Sequence, residues 1–519
     1  MVRKIKNINR FALPAILLTT LVAPLAFLIT DWFTQTDKSA LFAFLNRTTL
    51  LLIGKSLLMA GLSAFFATLA GGLCSFFLHK LSFKWNRFYK IALVMPLLIS
   101  PYIFAVAWNG GLHLVLGNDA SIFSSAGVVL VHSLVFLPLA FIIIGSALSQ
   151  INATYEEAGL MLVSFKKMLV RIILPLVKPA ILISFLLVMI FSLSDFSVPA
   201  YFGVQTFTTE IFTQFSALYN FPLAIGQSVL LLTICFAIMF SEAKYLSDSP
   251  FFTISLKGNT SKKYSINRGK GFLHLWFWFL LFISLVLPVV LLTIQSSAGN
   301  WLIIKKAWQL LEPTFGYSLG LAFTGTVIIT LSALWIAYTA RVYNSKLPNS
   351  LMMIIFVVPS TVSGISLIRF YNHPSLAFVY GSFLIILLAY LGRFGFIASR
   401  IIANGLKQIP ESLMEAALLA GASPVKIFFS ITIPLLIPSL LATFILSFIL
   451  CWGELGVVIM VYPPGAELMN IKTFTISANA PLALTSTMTL LNLCITCLLI
   501  AMFLLTGRVL FKKYSYAFY

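Results

Sequence analysis

The sequence predicts an all-α integral membrane protein with about 12 transmembrane helices, arranged as two parallel six-helix repeats. Three observations predict this fold. The 519 residues are 60% hydrophobic and only 9% charged, proportions far from those of soluble domains. About twelve apolar runs are long enough to cross a hydrocarbon core of roughly 30 Å, which takes about 20 helical residues. Landmark residues recur at an offset of 258 or 259 residues, as from Pro101 to Pro359.

The first six predicted helices lie within residues 1–241. They are centred on apolar runs near 11–30, 57–78, 89–109, 124–147, 176–195 and 222–241. The first run follows several basic residues, as a signal peptide does, but it is too long and lacks a convincing small-residue cleavage site. We therefore interpret it as a retained first helix.

A polar, basic linker at 242–273 separates this half from a second half, residues 274–519. Six more helices are predicted near 274–296, 317–340, 350–370, 375–398, 434–455 and 486–509. Most of the 34 lysines and arginines then fall in loops on one side, among them the loop 393–433. Because cytoplasmic loops are enriched in these residues, the sequence predicts that both termini are cytoplasmic.

The repeat rests on several landmarks in one register. Further matching pairs are Glu157 with Glu415, Pro175 with Pro434, Asp195 with Glu454, and Pro222-Leu223-Ala224 with Pro481-Leu482-Ala483. Since each half has an even number of crossings, the halves are parallel and related by an axis along the membrane normal. We expect a pathway between them, formed by helices two to six of each half, with helices one and seven packing outside.

The most informative cytoplasmic segment spans residues 410–434. Its pattern predicts a short helix over 410–420, a tight turn at Gly421, and a second short helix over 424–430 that enters the next span at Pro434. Glycine permits a left-handed turn because it has no Cβ, and proline is tolerated in a first helical turn. A protruding element of this kind is shaped to dock into a groove of a partner.

This segment resembles the signature of ABC importer permeases, which reads EAA, three residues, Gly, nine residues and I-x-L-P. The second half matches it at Glu415, Ala416, Ala417, Gly421, Ile431 and Pro434. In the first half Glu157, Ala158 and Gly159 supply the acid and small residues, but Leu162 or Val163 replaces the turn glycine. The spacing to Pro175 is one residue short, so Glu156 is an alternative counterpart of Glu415.

The resemblance implies a type I ABC importer permease of the bacterial inner (plasma) membrane. In this family the two loops couple the membrane helices to two ATP-binding cassette ATPase subunits on the cytoplasmic side, and an external solute-binding protein delivers the substrate. The ATPase-coupling residues that it implies here are Glu156, Glu157, Ala158, Gly159, Pro175, Glu415, Ala416, Ala417, Gly421 and Pro434. Besides these proteins, the expected partner is the lipid bilayer.

No enzymatic chemistry is predicted for the chain itself. It has no GxxxxGK[ST] phosphate loop, so ATP hydrolysis is expected in separate subunits, and we predict no catalytic residue, cofactor or metal site. Cys494 and Cys497 form a CxxC pair inside an apolar run, which we interpret as core packing. The net charge of +20 does not indicate nucleic acid, because the basic residues lie between apolar runs.

Two acidic residues are candidates for the substrate pathway. Asp195 and Glu454 occupy equivalent positions at the outer ends of the two fifth helices. Carboxylates near the membrane interior are costly to bury and often functional. They would receive a cation from a binding protein or act as a gate; the alternative is that both simply face water at the membrane interface.

The segment 201–211, Tyr-Phe-Gly-Val-Gln-Thr-Phe-Thr-Thr-Glu-Ile, looks like the stretch after the fifth helix of ferric-iron ABC permeases. The turn 462–465, Tyr-Pro-Pro-Gly, is similar to members of the same group, which are also commonly fused two-half chains. The resemblance therefore implies ferric iron as the substrate. Permeases for thiamine, phosphonate, sulfate or molybdate share the coupling loops and remain alternatives. An ion-coupled secondary transporter is a further alternative, although it would not need a repeated coupling loop.

Overall fold

A computed structural model gives the fold of the chain. It describes residues 16–35, 46–82, 84–116, 125–151, 153–240, 264–265, 270–297, 301–343 and 347–515. Within these residues nine helices are long and apolar enough to cross a membrane, two bent helix pairs raise the number to eleven if each is one span, and Thr19–Thr34 is a shorter apolar helix. The all-α, multi-pass fold is confirmed, while the count of twelve crossings stays a prediction.

The first half runs from the N-terminal helix to the region before the predicted linker. Its helices are α1 (Ala23–Gln35), α2 (Arg47–Lys80), α3 (Asn86–Ala92), α4 (Pro101–Leu116), α5 (Ser125–Gln150), α6 (Ala153–Leu162), α7 (Phe165–Met168), α8 (Leu174–Ser194), α9 (Ser197–Tyr201), α10 (Phe207–Phe212) and α11 (Phe221–Phe240). A short strand, β1 (Leu81–Ser82), follows α2 and pairs in parallel with β2 (Tyr264–Ser265). These four residues bring part of the predicted linker against the first half.

The predicted second half shows a similar order of long and short helices. Its helices are α12 (Lys270–Leu281), α13 (Leu287–Ser297), α14 (Trp301–Tyr343), α15 (Leu347–Val357), α16 (Ser360–Tyr371), α17 (Ala377–Tyr380), α18 (Leu384–Lys407), α19 (Glu411–Leu419), α20 (Pro424–Ile427), α21 (Ile433–Gly453), α22 (Val458–Val461), α23 (Met469–Ser477) and α24 (Leu482–Ser515). Helix α12 begins at Lys270, inside the predicted linker 242–273. Residues 241–263 and 266–269 of that region, like residues 1–15, lie outside the described part of the chain.

The third predicted helix of each half is sharply bent rather than straight. Segments Asn86–Leu97 and Pro101–Gly111 meet at 91°, and Leu347–Val357 and Ser360–Tyr371 meet at 107°. Pro101 and Pro359 stand at these breaks, not within a continuous helix as their positions in the predicted runs suggest. Proline has no N–H to donate and forces the preceding residue toward an extended conformation, which ends a helix.

Wide π-helical turns mark the first and fifth helices of both halves. They span Leu18–Val22, Leu169–Ile173, Phe282–Val286 and Phe428–Thr432. Each ends two residues before a proline, namely Pro24, Pro175, Pro288 and Pro434. Because proline removes one backbone donor, a local wide turn re-forms the hydrogen bonding around it. The recurrence supports the predicted repeat, and it makes α20 and α21 parts of one helical segment rather than two separated helices.

The first helix of each half packs against the opposite half. Helix α1 lies on α16, where Arg369 Nε and Nη2 donate to Asp31 Oδ2 at 2.9 and 2.6 Å. Helix α13 lies on α4, where Gln295 Nε2 donates to the carbonyl of Ala107 at 3.3 Å. The sequence places these helices outside the pathway, and this exchange joins the two halves at their periphery.

Two sequence interpretations need correction. Helix α18 runs over Leu384–Lys407 instead of 375–398, so Arg393 and Arg400 lie within a helix and not in the predicted loop 393–433. Their positive charge was compatible with a cytoplasmic loop, but their neighbours are almost all apolar. Cys494 and Cys497 are exposed on the surface of α24, so core packing is the wrong explanation for this pair.

Candidate functional site

A cavity of about 710 Å³ lies between the two halves. The first half lines it with the break before α4, with α5 and with the end of α8, while the second half contributes α18, α21 and the start of α16. Most of the lining is apolar. The charged lining residues, Asp195, Arg393 and Glu454, lie where α8 and α21 end, so the cavity has one polar end and one apolar end.

Asp195 is held in place by four hydrogen-bonding groups. Its Oδ1 accepts from Ser197 N at 3.3 Å and Ser197 Oγ at 2.9 Å, and its Oδ2 accepts from Val198 N at 2.9 Å. His132 Nε2 lies 3.0 Å from Oδ2. The carboxylate therefore caps the start of α9, where unsatisfied backbone N–H groups favour an acceptor.

His132 extends this network into α5. Its Nδ1 lies 2.8 Å from Ser192 Oγ, and the histidine is buried. Both ring nitrogens thus have polar partners, which fixes the orientation of the ring. His132 therefore belongs to the same site as Asp195.

Glu454 has the equivalent role in the second half. Its Oε1 accepts from Val457 N at 3.0 Å, at the start of the short helix α22. Its basic partner is Arg393, whose Nε lies 3.7 Å from Glu454 Oε2. The carboxylates are 259 positions apart and their basic partners 261, so each acid lies beside a basic residue from the fourth predicted helix of its own half.

Two serines bridge the halves beside the polar end. Ser100 Oγ donates to the carbonyl of Gly453 at 3.0 Å, and Ser360 Oγ donates to the carbonyl of Ser194 at 2.6 Å. Each serine stands at the break in the bent third helix of one half and bonds the end of the fifth helix of the other. The two bonds form a crossed pair between positions that the predicted repeat relates.

The predicted second cytoplasmic loop, residues 410–434, has the turn that its glycine predicts. Gly421 has φ +79°, Gly421 N donates to the carbonyl of Leu418 and Ala422 N to that of Ala417, both at 3.0 Å. These are the two hydrogen bonds of a Schellman motif. Glu415 and Ala416 are exposed and Ala417 is half-buried, while Pro434 lies in the first turn of α21.

A guanidinium fixes the start of this loop. Arg341 Nη2 donates to the carbonyl of Ile409 at 2.9 Å, and Nη1 donates to that of Leu406. Both carbonyls belong to the end of α18 and the residues just after it, where helical carbonyls lack intrahelical partners. Helix α19 therefore leaves the membrane helices from an anchored point.

The first cytoplasmic loop is built differently. Glu156 is fully buried, where it forms an ion pair with Lys80 and accepts a hydrogen bond from Tyr264 OH at 2.7 Å. Burial and the neighbouring Glu156 carboxylate raise the pKa of the Tyr264 phenol, so it remains a donor at neutral pH. Glu157 and Ala158 are exposed. Strand β2 thus ties the predicted linker to this loop through Tyr264.

The turn of the first loop is shorter and contains no left-handed residue. Only Val163 and Ser164 separate α6 from α7, whereas four residues separate α19 from α20. Gly159 is buried, and a Cβ there would lie 2.6 Å from Ile172 Cδ1. Glycine at this position therefore allows α6 to pack closely on the helix that leads to Pro175.

Both loops expose apolar side chains at their tips. Met161 and Leu162 are 87% and 84% exposed at the end of α6, and Leu419 is 90% exposed at the end of α19. Leu418 beside it is 52% exposed. The buried core of a protein interface is more apolar than its rim, and each loop presents a compact apolar tip near an exposed glutamate.

Sequence reasoning missed several of these residues for identifiable reasons. Lys80, His132, Arg393 and Tyr264 carry no motif, and Ser100 and Ser360 are ordinary serines beside a proline. The one available signal was the repeat, because His132 and Arg393 stand in nearly the same register as the acids that they accompany. Because one of these residues is a histidine and the other an arginine, the shared register is not visible in the sequence.

Comparison with known proteins adds a family match. Residues 330–515 match the family described as the binding-protein-dependent transport system inner membrane component. This segment includes α18 to α21 and therefore the second cytoplasmic loop, together with Arg393 and Glu454. The match thus contains the second-half side of the cavity.

Similar proteins extend the comparison to most of the chain. The Fe(3+)-transport system permease protein FbpB 2 of Haemophilus influenzae is 26% identical over 425 residues, 80% of this chain and 81% of that protein. The putative ferric transport system permease protein FbpB 1 of the same organism is 25% identical over 456 residues, 81% and 71%. A putative 2-aminoethylphosphonate transport system permease protein, PhnV of Salmonella paratyphi A, is 26% identical over 237 residues, 43% and 88%.

Proposed function

We propose that this chain, which is a binding-protein-dependent ABC permease of the bacterial inner membrane, imports ferric iron. The observation that carries the substrate is the similarity to two proteins named as ferric permeases, over 80% and 81% of the chain. The resemblance noted at residues 201–211 points the same way. In this assignment the chain has no enzymatic step of its own, and ATP hydrolysis belongs to partner subunits.

Permeases of this family work with an ATPase and a solute-binding protein, and we assign two ATPase subunits here, one to each cytoplasmic loop. The exposed apolar tips at Met161–Leu162 and Leu418–Leu419 support this assignment, because exposed apolar patches mark interaction sites and a groove on each ATPase would bury them. Glu157 is the counterpart of Glu415, since both are exposed while Glu156 is buried in an ion pair. Coupling then passes through α19 into α18, where Arg341 holds the junction.

The substrate pathway runs through the cavity between the halves, 1–241 and 274–519, with the linker 242–273 on the cytoplasmic side. Asp195 and Glu454 shape the outer, polar end of this pathway. They do so by capping α9 and α22 rather than as bare cation ligands, because their oxygens already accept hydrogen bonds from the backbone. Both termini are cytoplasmic in this topology, in agreement with the basic loops.

The test is uptake of radiolabelled ferric iron by cells that carry the permease with its genomic ATPase and binding protein. We expect Glu415→Lys to abolish uptake while the ATPase still hydrolyses ATP, because the exposed acid of α19 would no longer match its partner. Glu411→Lys is the matched control, since it makes the same charge change on an exposed residue one helical turn earlier.

Two results would overturn parts of the proposal. Normal uptake by Glu415→Lys would remove this loop from coupling. Wild-type cells that take up no ferric iron while the complex assembles normally would remove iron as the substrate. The second candidate, 2-aminoethylphosphonate, is favoured by the similarity to the phosphonate permease across 43% of the chain and would then be assayed directly.

A further inference from the structure

Both carboxylates at the polar end of the cavity already have hydrogen-bonding and basic partners. Asp195 accepts hydrogen bonds from the backbone and side chain of Ser197 and from Val198, and it contacts His132. Glu454 accepts from Val457 N and lies beside Arg393. These hydrogen bonds and basic neighbours hold each carboxylate in place.

Arg393 differs because its guanidinium is poorly satisfied. It has five N–H donors, yet its one hydrogen bond within the described residues runs from Nη1 to the Val358 carbonyl at 3.5 Å. Its Nε has no hydrogen-bond acceptor among them, and the nearest Glu454 oxygen is 3.7 Å away. The side chain is only 11% exposed and lines the cavity.

Other arginines of the chain provide a comparison. Arg369 donates to Asp31 at 2.9 and 2.6 Å, and Arg341 donates to the carbonyl of Ile409 at 2.9 Å. Both therefore have short bonds to fixed acceptors. Arg393 lacks short bonds of this kind, although it lies at the cavity wall.

One aromatic contact directs Arg393 toward the interface between the halves. Its guanidinium carbon lies 5.9 Å from the ring centroid of Phe191, which belongs to α8 of the first half and also lines the cavity. A cation over an aromatic face is held without using its N–H donors. The fork of donors therefore remains available to a ligand that enters between the halves.

We propose that Arg393 binds an oxyanion group, a carboxylate, phosphate or phosphonate, that the cargo brings into the cavity. A planar guanidinium binds such groups through paired hydrogen bonds. The inference rests on the proposed function: ferric iron would cross together with an anionic ligand, whose negative charge offsets the high energy of a trivalent ion in a mostly apolar cavity. For 2-aminoethylphosphonate the anion would be the phosphonate group of the cargo.

The test uses the full complex in proteoliposomes, with ATP inside and loaded binding protein outside. The cargoes are radiolabelled ferric iron with phosphate, ferric iron with citrate, and 2-aminoethylphosphonate. The variants are Arg393→Gln, Arg393→Lys and the double variant Arg393→Gln with Glu454→Gln. The double variant decides between two roles, because it removes both charges and leaves neither Arg393 nor Glu454 as an unpaired buried ion.

If Arg393 binds the anion, uptake falls about tenfold or more in both glutamine variants, as expected from losing a charged hydrogen-bonding partner. Arg393→Lys keeps the charge but loses the fork and falls by less. Recovery of uptake in the double variant would show that Arg393 only neutralises Glu454 and would overturn the proposal. The control pair, Arg369→Gln with and without Asp31→Asn, is expected to recover in this way, since it lies away from the cavity lining.

The different cargoes allow the anion site at Arg393 and the proposed iron substrate to fail independently of each other. If the wild type imports the phosphonate but not iron, the substrate proposal fails, and the Arg393 effects on phosphonate uptake still test the anion site. If it imports neither, binding of radiolabelled inorganic phosphate to the purified complex decides. Saturable binding that Arg393→Gln abolishes would support the site, and binding unchanged by that substitution, or no binding, would refute it.

Discussion

At the scale of single residues, the carboxylates beside the cavity act first on the backbone. Asp195 and Glu454 accept hydrogen bonds from the N–H groups of Val198 and Val457, so each fixes a short helix that follows a membrane helix. Their repeat-related positions reflect this shared task. The basic partners of the two carboxylates differ between the halves: Asp195 lies beside His132, and Glu454 lies beside Arg393.

Asp195 can be tested by separating its acceptor atoms from its charge. Asp195→Asn retains an oxygen for the cap, whereas Asp195→Leu removes every acceptor and should destabilise the protein by about 1–2 kcal/mol. We expect a lower melting temperature for the leucine variant than for the asparagine variant in the purified complex. Equal melting temperatures would show that the cap contributes nothing.

Lys80 and Glu156 form a buried ion pair, so removing one partner leaves the other charge buried and unpaired. Lys80→Met leaves an uncompensated buried carboxylate and should destabilise by about 3–5 kcal/mol. Adding Glu156→Gln removes that charge and should restore most of the protein level in the membrane, measured by immunoblot and thermal stability. A double variant as unstable as Lys80→Met would contradict the pairing.

At the scale of elements, the bent third helices connect the two halves. Each break brings a serine, Ser100 or Ser360, to the end of the opposite fifth helix. Because a hydrogen bond contributes about 0.5–1.5 kcal/mol, two such bonds are strong enough to bias a gate but weak enough to be broken by ATP-driven motion.

Replacing both serines tests this bias. We expect Ser100→Ala with Ser360→Ala to favour opening at the polar end by about 1–3 kcal/mol in total, measured as faster labelling of an introduced cysteine near Glu454. Ser366→Ala is the control, since its hydroxyl donates within helix α16 to the carbonyl of Ser363. Labelling no faster than in the control would contradict a gating role.

The turn between α19 and α20 depends on backbone conformation, not on space. Nothing lies within 4 Å of a Cβ built on Gly421, but its φ is +79°, where most L-residues are disfavoured by about 1–2 kcal/mol. Gly421→Asn should therefore preserve iron uptake far better than Gly421→Leu or Gly421→Val. Equal uptake by all three variants would show that the turn does not need this conformation.

At the scale of the whole molecule, the sequence predicts most of the fold, because the lengths of the apolar runs and the positions of the basic residues between them can be read directly from it. The Gly421 turn also follows from local chemistry. Tertiary features do not: the exchange of α1 and α13 between halves and the break at Pro359 arise from packing. The predicted loop 393–433 begins at Arg393, inside the predicted helix 375–398, because a charge marks a helix end in a hydropathy reading, whereas in the fold Arg393 contacts Glu454 and Phe191.

The candidate site was predictable only in part for the same reason. Asp195, Glu454 and the second cytoplasmic loop stand out as rare acids or as a spaced motif. Glu156 and Glu157 are adjacent and chemically identical, so only the fold separates the buried residue from the exposed one. The serine bridges depend on contacts between residues 353 and 166 positions apart, beyond the reach of any local pattern.

The most direct measurement is accumulation of radiolabelled ferric iron by proteoliposomes that contain the permease and its ATPase, supplied with loaded binding protein. We expect uptake that requires internal ATP and persists when ionophores collapse the ion gradients. Uptake that stops with the gradients and proceeds without ATP would contradict it and identify an ion-coupled carrier instead.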